Sequence, residues 1–334
     1  MVGWESRGTG SAHQPRHRAA RIEARHQVPA WSSSERAHAI AMPFVSRPGS
    51  QLSRRSRRFP VDPDNGVTQA PSMPTPAEFA AFAEELARIA RDETLHRWAA
   101  GCGAQDKGGG GYDPVTDADR EAERAIRDAI EARYPDHGVT GEEWPDRAGT
   151  SAYSWSLDPV DGTRSFICGL PTWVTLIAHL EDGRPAVGLI DAPCLDEIYV
   201  GLGDTAWMIA KGERTSIRTS GCASLSDVRL STTDPFLFED GAQAAFDSLR
   251  RSVRTTRYGH DGYAYARLAA GSLDLVIESG LKPHDYNALI PVVRGAGGAI
   301  GDWRGGDDFA RGKVIAAATR QLYDEAVGAF EAFA

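Results

Sequence analysis

From residue 172 to residue 213 the chain passes through four apolar stretches, TWVTLIAHL, RPAVGLIDAP, DEIYVGL and TAWMIAKGE. Gly, Pro and Asp separate them, as in DGRP at 182–185. Such residues supply the backbone angles that turns require, so the pattern predicts four consecutive strands. An earlier strand is expected to run into LDPVDGTRSF at 157–166, and a short one to lie within HGVTGEEWPD at 137–146. Beyond a boundary near 221–227 the pattern changes. Helices are predicted at 241–251, 261–271, 284–297 and 320–332, alternating with strands near 228–232, 273–278, 298–303 and 313–318. A strand-rich first half followed by an α/β second half implies two layered subdomains, 73–222 and 223–334, that share a cleft.

Two helices precede the strands. Phe79, Phe82, Leu86, Ile89 and Leu95 recur at three- and four-residue spacing, with Pro76 well placed at a helix start after Thr75. The second helix is expected at 117–133, with Thr116 as N-cap, acids in its first turn and an apolar stripe of Ala122, Ile126, Ala129 and Ile130. Between them, DKGGGGYDP at 106–114 lacks the preceding strand and GK[ST] ending of a P-loop, and reads as a flexible lid or linker. Residues 1–72 are rich in Arg, Ser, Pro and His, too poor in apolar residues to fold alone. They read as a transit peptide or, by preference, as an upstream extension with Met73 the true first residue. The RRSRR cluster at 54–58 reads as solvated.

Hydrophobic residues make up 41% of the chain and charged residues 25%, a globular mix. The net charge of −9 argues against a nucleic-acid polymer as partner. Residues 1–72 hold eleven Arg, no Lys and five Asp or Glu, so the remainder is more acidic still and suited to concentrating cations. Cys102, Cys168, Cys194 and Cys222 form no C-x-x-C pair, which fits reduced thiols in the cytoplasm. The longest apolar run, around 170–180, is too short to span a bilayer, so no membrane association is expected.

LDPVDGTRSF sets Asp158 and Asp161 three positions apart around Pro159. Two like charges so close call for something positive between them. Mg²⁺ takes oxygen ligands, usually one or two carboxylates with water and substrate phosphate. The Val160 carbonyl is a further candidate ligand, and two ions in such a cluster would suit in-line phosphoryl displacement. Gly162 and Thr163 are expected to open a helical turn whose N–H groups receive phosphate oxygens, with the Thr163 hydroxyl orienting water. Glu142, Asp119 and Asp285 each fall at the end of a predicted element, where a cleft would form. Alone, Asp119 reads as a capping acid, Asp285 as a helix-dipole acid and Glu142 as surface charge. Their combination with the motif makes them site candidates. His137 and His179 read as loop and strand residues, and His260 as a weak substrate contact. Trp155, Trp173 and Trp207 read as core. Cys168 lacks a partner base for nucleophilic catalysis.

These blocks, GEE at 141–143, LDPVDGTRSF, VTDAD at 115–119 and HDYNAL with the helix leading to GAGG at 284–298, resemble the inositol-monophosphatase-like superfamily of Mg²⁺-dependent, lithium-sensitive phosphatases. The likeness covers roughly 75–333. It implies an α/β/α/β/α sugar-phosphatase fold, and two or three Mg²⁺ (Mn²⁺ being the other hard ion) held by Glu142, Asp158, Asp161, Asp285 and the Val160 carbonyl. It also implies water activation by Thr163 paired with Asp119, near Glu142. The family often has Trp where this chain has His284. Residues 259–298 look most like the histidinol-phosphatase branch, which implies L-histidinol phosphate as substrate and a place in histidine synthesis. Glu278, joined by Asp261, would then face the substrate's ammonium or imidazolium, although a helix N-cap is the preferred role for Asp261. Alternatives are an inositol monophosphatase, a 3′(2′),5′-bisphosphate nucleotidase, or a metal-binding regulator without turnover. Relatives imply a homodimer acting on a small phosphate ester.

Overall fold

The computed structural model describes residues 74–101, 103, 105, 106, 114–239 and 241–334. The segment 1–72, Met73, Cys102 and residues 107–113 of the glycine-rich loop lie outside the described residues.

Helix α1 (Pro76–Ala100) begins where Thr75 and Glu78 form a reciprocal capping box and ends at Gly101, whose φ of 71° places it in the left-handed region. After a short ribbon of β1 (Gln105–Asp106) and β2 (Pro114–Val115) comes α2 (Asp117–Arg133), opened by a second capping box between Thr116 and Asp119. Both helices fall where their caps and apolar stripes predict.

A seven-stranded sheet follows in simple sequence order. Its strands are β3 (Gly138–Gly141), β4 (Tyr153–Asp161), β5 (Val174–Glu181), β6 (Arg184–Ala192), β7 (Glu197–Leu202), β8 (Thr205–Ala210) and β9 (Glu213–Ser216). Helix α3 (Thr163–Ile167) interrupts it directly after β4. The β3–β4 pair is parallel and the rest are antiparallel. A five-stranded sheet in the order β11-β10-β12-β14-β13 completes the chain. It comprises β10 (Arg229–Thr232), α4 (Ala242–Ser252), β11 (Thr255–Tyr258), α5 (Asp261–Ala269), β12 (Leu275–Glu278), α6 (Pro283–Tyr286), α7 (Leu289–Gly295), β13 (Ala299–Asp302), β14 (Val314–Ala317) and α8 (Arg320–Phe330).

Three apolar clusters stack these elements into five layers. Phe79, Leu86, Ile126 and Ile130 of α1 and α2 pack on Trp155, Ile177, Leu189 and Val200 of the larger sheet. Its other face, through Leu176, Ile190 and Tyr199, meets Leu268 of α5 and Leu289, Val292 and Val293 of α7, which also touch Val276 and Ala316 of the smaller sheet. Phe246 of α4 and Leu322 and Phe330 of α8 close the far side against Leu230, Ile277 and Ile315. The result is the expected α/β/α/β/α order. Close approach of α7 to the larger sheet depends on glycines, because a Cβ at Gly188 would strike the Ala288 carbonyl and one at Gly201 the Pro291 carbonyl.

Four features depart from the sequence reading. Strands β9 and β11 were not expected: all four residues of β9 are exposed, and three of four in β11, so neither carries an apolar alternation. The helix expected at 284–297 is split into α6 and α7, because Pro291 has no N–H to donate to the Asn287 carbonyl. Strand β4 runs past the start of the LDPVDGTRSF motif and continues through both aspartates to Asp161. Asp261 is the first residue of α5 rather than its N-cap, which is His260. Among the described residues no helix is long and apolar enough to cross a membrane, and Cys168, Cys194 and Cys222 are free thiols.

His137 and His179 sit inside an aromatic box with Phe79, Tyr134, Tyr153 and Trp155. Trp155 Nε1 donates to His137 Nδ1 at 3.1 Å, which fixes that nitrogen as unprotonated. His179 stacks on Phe79 with centroids 3.8 Å apart, and neither of its ring nitrogens has a partner among the described residues. Burial, then the neighbouring His137, pushes its pKa down to about 3. A histidine that stays neutral in the fold but charges when unfolded costs stability as pH falls below about 6.5. The unfolding free energy of the native chain, measured against His179→Phe in urea, should therefore fall by about 2 kcal/mol between pH 7.5 and pH 5.

Candidate metal centre

The register of β4 against its neighbours builds the site. Gly141 of β3 lies opposite Leu157 of β4, so the chain carries Glu142 and Asp158 past the strand pair side by side. On the other edge, Asp158 pairs with Leu176 and Asp161 with Val174, a shift of one residue between the two. Side chains alternate along a strand, so residues three apart normally face opposite sides. The bulged extra residue restores Asp158 and Asp161 to one side. Pro159 occupies the bulge, where its missing N–H is no loss, and its carbonyl accepts a 2.7 Å hydrogen bond from the Thr175 hydroxyl of β5.

Three of the acids are held by backbone amides. Val160 N–H donates to Asp158 Oδ1 at 3.1 Å, and Gly262 N–H to Asp161 Oδ2 at 2.5 Å. Lys282 N–H donates to Asp285 Oδ2 at 2.7 Å. A Cβ at Gly262 would run into the Asp161 carboxylate, so the tight grip of α5 on Asp161 needs glycine there. Gly162, at φ 83°, caps α3, and the Asp261 side chain lies directly against it. Asp261 itself has a φ of 45°, a strained value for a residue with a side chain, and its Oδ2 accepts from Ser165 Oγ at 3.4 Å.

Two sets of potential ligand atoms result, each with all members within 4.8 Å of one another: Asp158, Asp161 and Asp285, and Glu142, Asp158 and His284. Asp158 belongs to both. His284 is the member that sequence reasoning missed, registered only as a departure from the family pattern. Asp119 divides its roles. Its Oδ2 accepts from Thr116 N–H at 2.9 Å and from the Thr116 hydroxyl, completing the cap, whereas its buried Oδ1 has no partner among the described residues. The Thr163 hydroxyl donates to the Val160 carbonyl at 3.1 Å.

Burial dominates the electrostatics. Asp158 and Asp161 are pushed well above the usual carboxylate range, first by burial, then by Glu142 and Asp161 in the one case and Asp261 and Asp285 in the other. Burial also raises Asp285, lifts Asp261 to about 6, Asp119 to about 7 and Glu278 to about 8. Carboxylate oxygens and one imidazole make up the two donor sets, and that donor chemistry fits hard divalent cations.

A cavity of about 270 Å³ opens beside the cluster, walled by Asp161, Gly162, Thr163, Asp261, Glu278 and Asp285 among others. Glu142, Asp158 and Asp119 are not among its lining residues. Glu278, 1% exposed at the end of β12, accepts from Thr233 N–H at 2.7 Å. Tyr265 of α5 lines the same cavity, and its buried hydroxyl has no partner among the described residues. His260 accepts or donates to Ser231 Oγ through Nδ1 at 3.2 Å and is not part of the cavity wall.

Residues 75–333 match the model of the inositol monophosphatase family, and the chain belongs to that family. It is 48% identical over 194 residues to the chloroplastic bifunctional phosphatase IMPL2 of Arabidopsis thaliana, a match that covers 58% of this chain and only 55% of the plant protein. Histidinol-phosphatases from Chlorobaculum parvum (33% identity, 63% of this chain, 80% of that protein) and Mycobacterium tuberculosis (35%, 56% and 73%) are also similar. Among solved structures, an inositol monophosphatase from Zymomonas mobilis superposes with a TM-score of 0.67 at 39% identity, covering 78% of this chain and all 100% of that one. The fold is thus that of the inositol monophosphatases, with its likeness running to the histidinol-phosphatase branch.

Carboxyls with folded pKa values raised above about 4 stabilise the fold while protonated and lose that contribution as pH rises through the raised values. For Asp119 and Glu278 the window reaches pH 7 to 8. Chelator-treated protein should therefore melt at a lower temperature at pH 8.5 than at pH 6.5. Mg²⁺ at about a hundred times its Kd should restore roughly 2.7 kcal/mol, a rise of several degrees in a melting scan.

Proposed function

We propose that the protein is a Mg²⁺-dependent phosphomonoesterase that hydrolyses L-histidinol phosphate to L-histidinol and phosphate. The observation that carries this reading is the meeting of two donor sets at Asp158, beside a cavity that also presents Glu278 and Asp261. Glu142, Asp158, Asp161, Asp285 and the Val160 carbonyl would hold the ions. When bound, hard divalent cations polarise the phosphate ester and make a water acidic enough to attack at neutral pH.

The chain's own residues do the rest. Backbone N–H groups at Gly162 and Thr163, in the cavity wall, receive phosphate oxygens. Thr163 has its hydroxyl proton committed to Val160, so its oxygen can only accept from the attacking water and thereby orient it. Asp119 Oδ1, buried and unpartnered, is the acceptor for a proton from that water, with Glu142 nearby. At the substrate's other end stand two acids, Glu278, which is buried, and Asp261, on which the Arg164 guanidinium in the same cavity wall also acts. A protonated amine or imidazole would relieve their burial, whereas the uncharged hydroxyls of inositol would relieve it less. That difference, together with the relatives named histidinol-phosphatases, favours histidinol phosphate over the inositol phosphate and 3′(2′),5′-bisphosphate readings. The Tyr265 hydroxyl adds a hydrogen-bond donor to the same wall.

Purified protein assayed with histidinol phosphate, inositol 1-phosphate and adenosine 3′,5′-bisphosphate should turn over the first with the highest kcat/KM. A ranking that places it last removes the substrate assignment. Asp161→Asn should abolish Mg²⁺-dependent turnover with the fold intact by circular dichroism, and an absence of turnover on every ester by the native chain would favour a regulator without catalysis. Glu278→Gln should raise KM for histidinol phosphate by roughly 10–100-fold, the value of a hydrogen bond to a charged group, while changing inositol 1-phosphate kinetics by no more than about threefold. Equal losses on both esters would show that Glu278 does not read the substrate's charge.

A further inference from the structure

The Glu142–Asp158–His284 set contains a donor that a purely carboxylate centre has no use for. His284 is the second residue of α6, and a ring nitrogen of it lies within 4.8 Å of ligand oxygens on both Glu142 and Asp158. Its Nε2 is 3.5 Å from Asp285 Oδ1, and its side chain is only 14% exposed. The very next residue, Asp285, turns to the other set, with Asp158 and Asp161. One turn of helix therefore delivers an imidazole to one donor set and a carboxylate to the other. The unpartnered Asp119 Oδ1, on a side chain 1% exposed, stands on the Glu142 side, where Glu142 and Glu143 are among the charges that act on it.

We propose that His284 is a nitrogen ligand to a divalent cation held with Glu142 and Asp158, which makes that donor set chemically unlike the oxygen-only set of Asp158, Asp161 and Asp285. The inference rests on the reading of this cluster as a divalent-cation centre. Asp158, Asp161 and Asp285 offer oxygen alone, the donor set of Mg²⁺. Glu142, Asp158 and His284 offer mixed oxygen and nitrogen, which suits Mn²⁺, Co²⁺ or Zn²⁺, because imidazole strengthens binding toward the later first-row ions. The neutral ring also leaves that set with two carboxylates rather than three, which lowers the mutual repulsion at the more crowded side of Asp158. His284 thus sets the metal preference of one site without adding charge to it.

The full chain, freed of cations by chelation, is titrated with Mg²⁺ and Mn²⁺ by calorimetry and with Co²⁺ by visible absorption, alongside His284→Phe and His284→Gln. Loss of a direct ligand should cost at least what loss of a residue behind a ligand costs, about 10–100-fold. One Mn²⁺ site should therefore weaken at least about tenfold in both variants and the Co²⁺ spectrum should change, whereas Mg²⁺ affinity moves by less than about twofold. In the native chain, Zn²⁺ should shift one histidine ring ¹⁵N resonance, a readout that stands even where a variant does not fold. Unchanged Mn²⁺ affinity and Co²⁺ absorption in the variants, or no ring shift, with Mg²⁺ still bound, overturns the role of His284 and leaves the cation centre standing. Failure of the native chain to bind any of these ions removes the centre itself and the inference with it.

Discussion

Like charges packed away from water repel, and a fold that gathers several of them must impose their positions by backbone geometry. The bulge in β4 is where this happens. A regular strand would send Asp158 and Asp161 to opposite faces of the sheet, one toward α1 and α2 and the other toward α5 and α7. The single inserted residue puts both carboxylates on one side, and Pro159 accepts the insertion because it has no ladder hydrogen bond to lose. Thr175 fastens the bulge from β5 through the Pro159 carbonyl. Asp158 then serves both donor sets, so each other acid need meet only part of the cluster.

The remaining acids obey a common rule. Asp119, Asp158, Asp161, Glu278 and Asp285 each accept a backbone N–H, from Thr116, Val160, Gly262, Thr233 and Lys282 respectively. An amide donor favours a carboxylate without neutralising it, and it comes from a turn or helix start that cannot swing away. One oxygen is thereby fixed; in Asp119 the other stays without a partner among the described residues, and in Glu278 it accepts from the Thr232 hydroxyl at 3.4 Å. The arrangement holds the site ready before any ligand arrives, at the cost of the raised pKa values. The strained φ of Asp261 belongs to the same economy, since it brings the start of α5 against Gly162 and Asp161 together.

Much of this was legible in the sequence, and the exceptions have physical causes. Thr75 followed by Pro76, and Thr116 with its acidic first turn, marked both early helices, because a helix start is a wholly local matter, and the structure closes each with a capping box. The buried strands announced themselves by apolar runs. Strands β9 and β11 did not, because edge strands of exposed ERTS and TTRY bury too little to leave a pattern. The break between α6 and α7 was readable from Pro291 but was masked by the apolar run around it. Asp158 and Asp161 stood out as a motif. His284 did not, since a lone histidine has no local signature and acquires one only when Glu142 and Asp158, more than a hundred residues earlier, arrive beside it.

That arrival depends on how the second half of the chain is registered against the first. Asp285 and His284 sit in a four-residue helix, too short to hold its own position. Besides the stacking of Tyr286 on Phe309, two contacts help to fix it. Asn287 Nδ2 donates to Ser156 Oγ at 3.1 Å, a buried bond linking a residue two beyond Asp285 to one two before Asp158. Beside it, the absence of a side chain at Gly188 lets the Ala288 carbonyl rest on β6. The polar bond sets direction and the close backbone contact sets distance, so the last two donors reach Asp158 in one register only. A shift of α6 by one residue would carry Asp285 away from Asp161 and His284 away from Glu142 together. The two donor sets are therefore coupled through a single short helix, and the pairing of Asn287 with Ser156 bears on both.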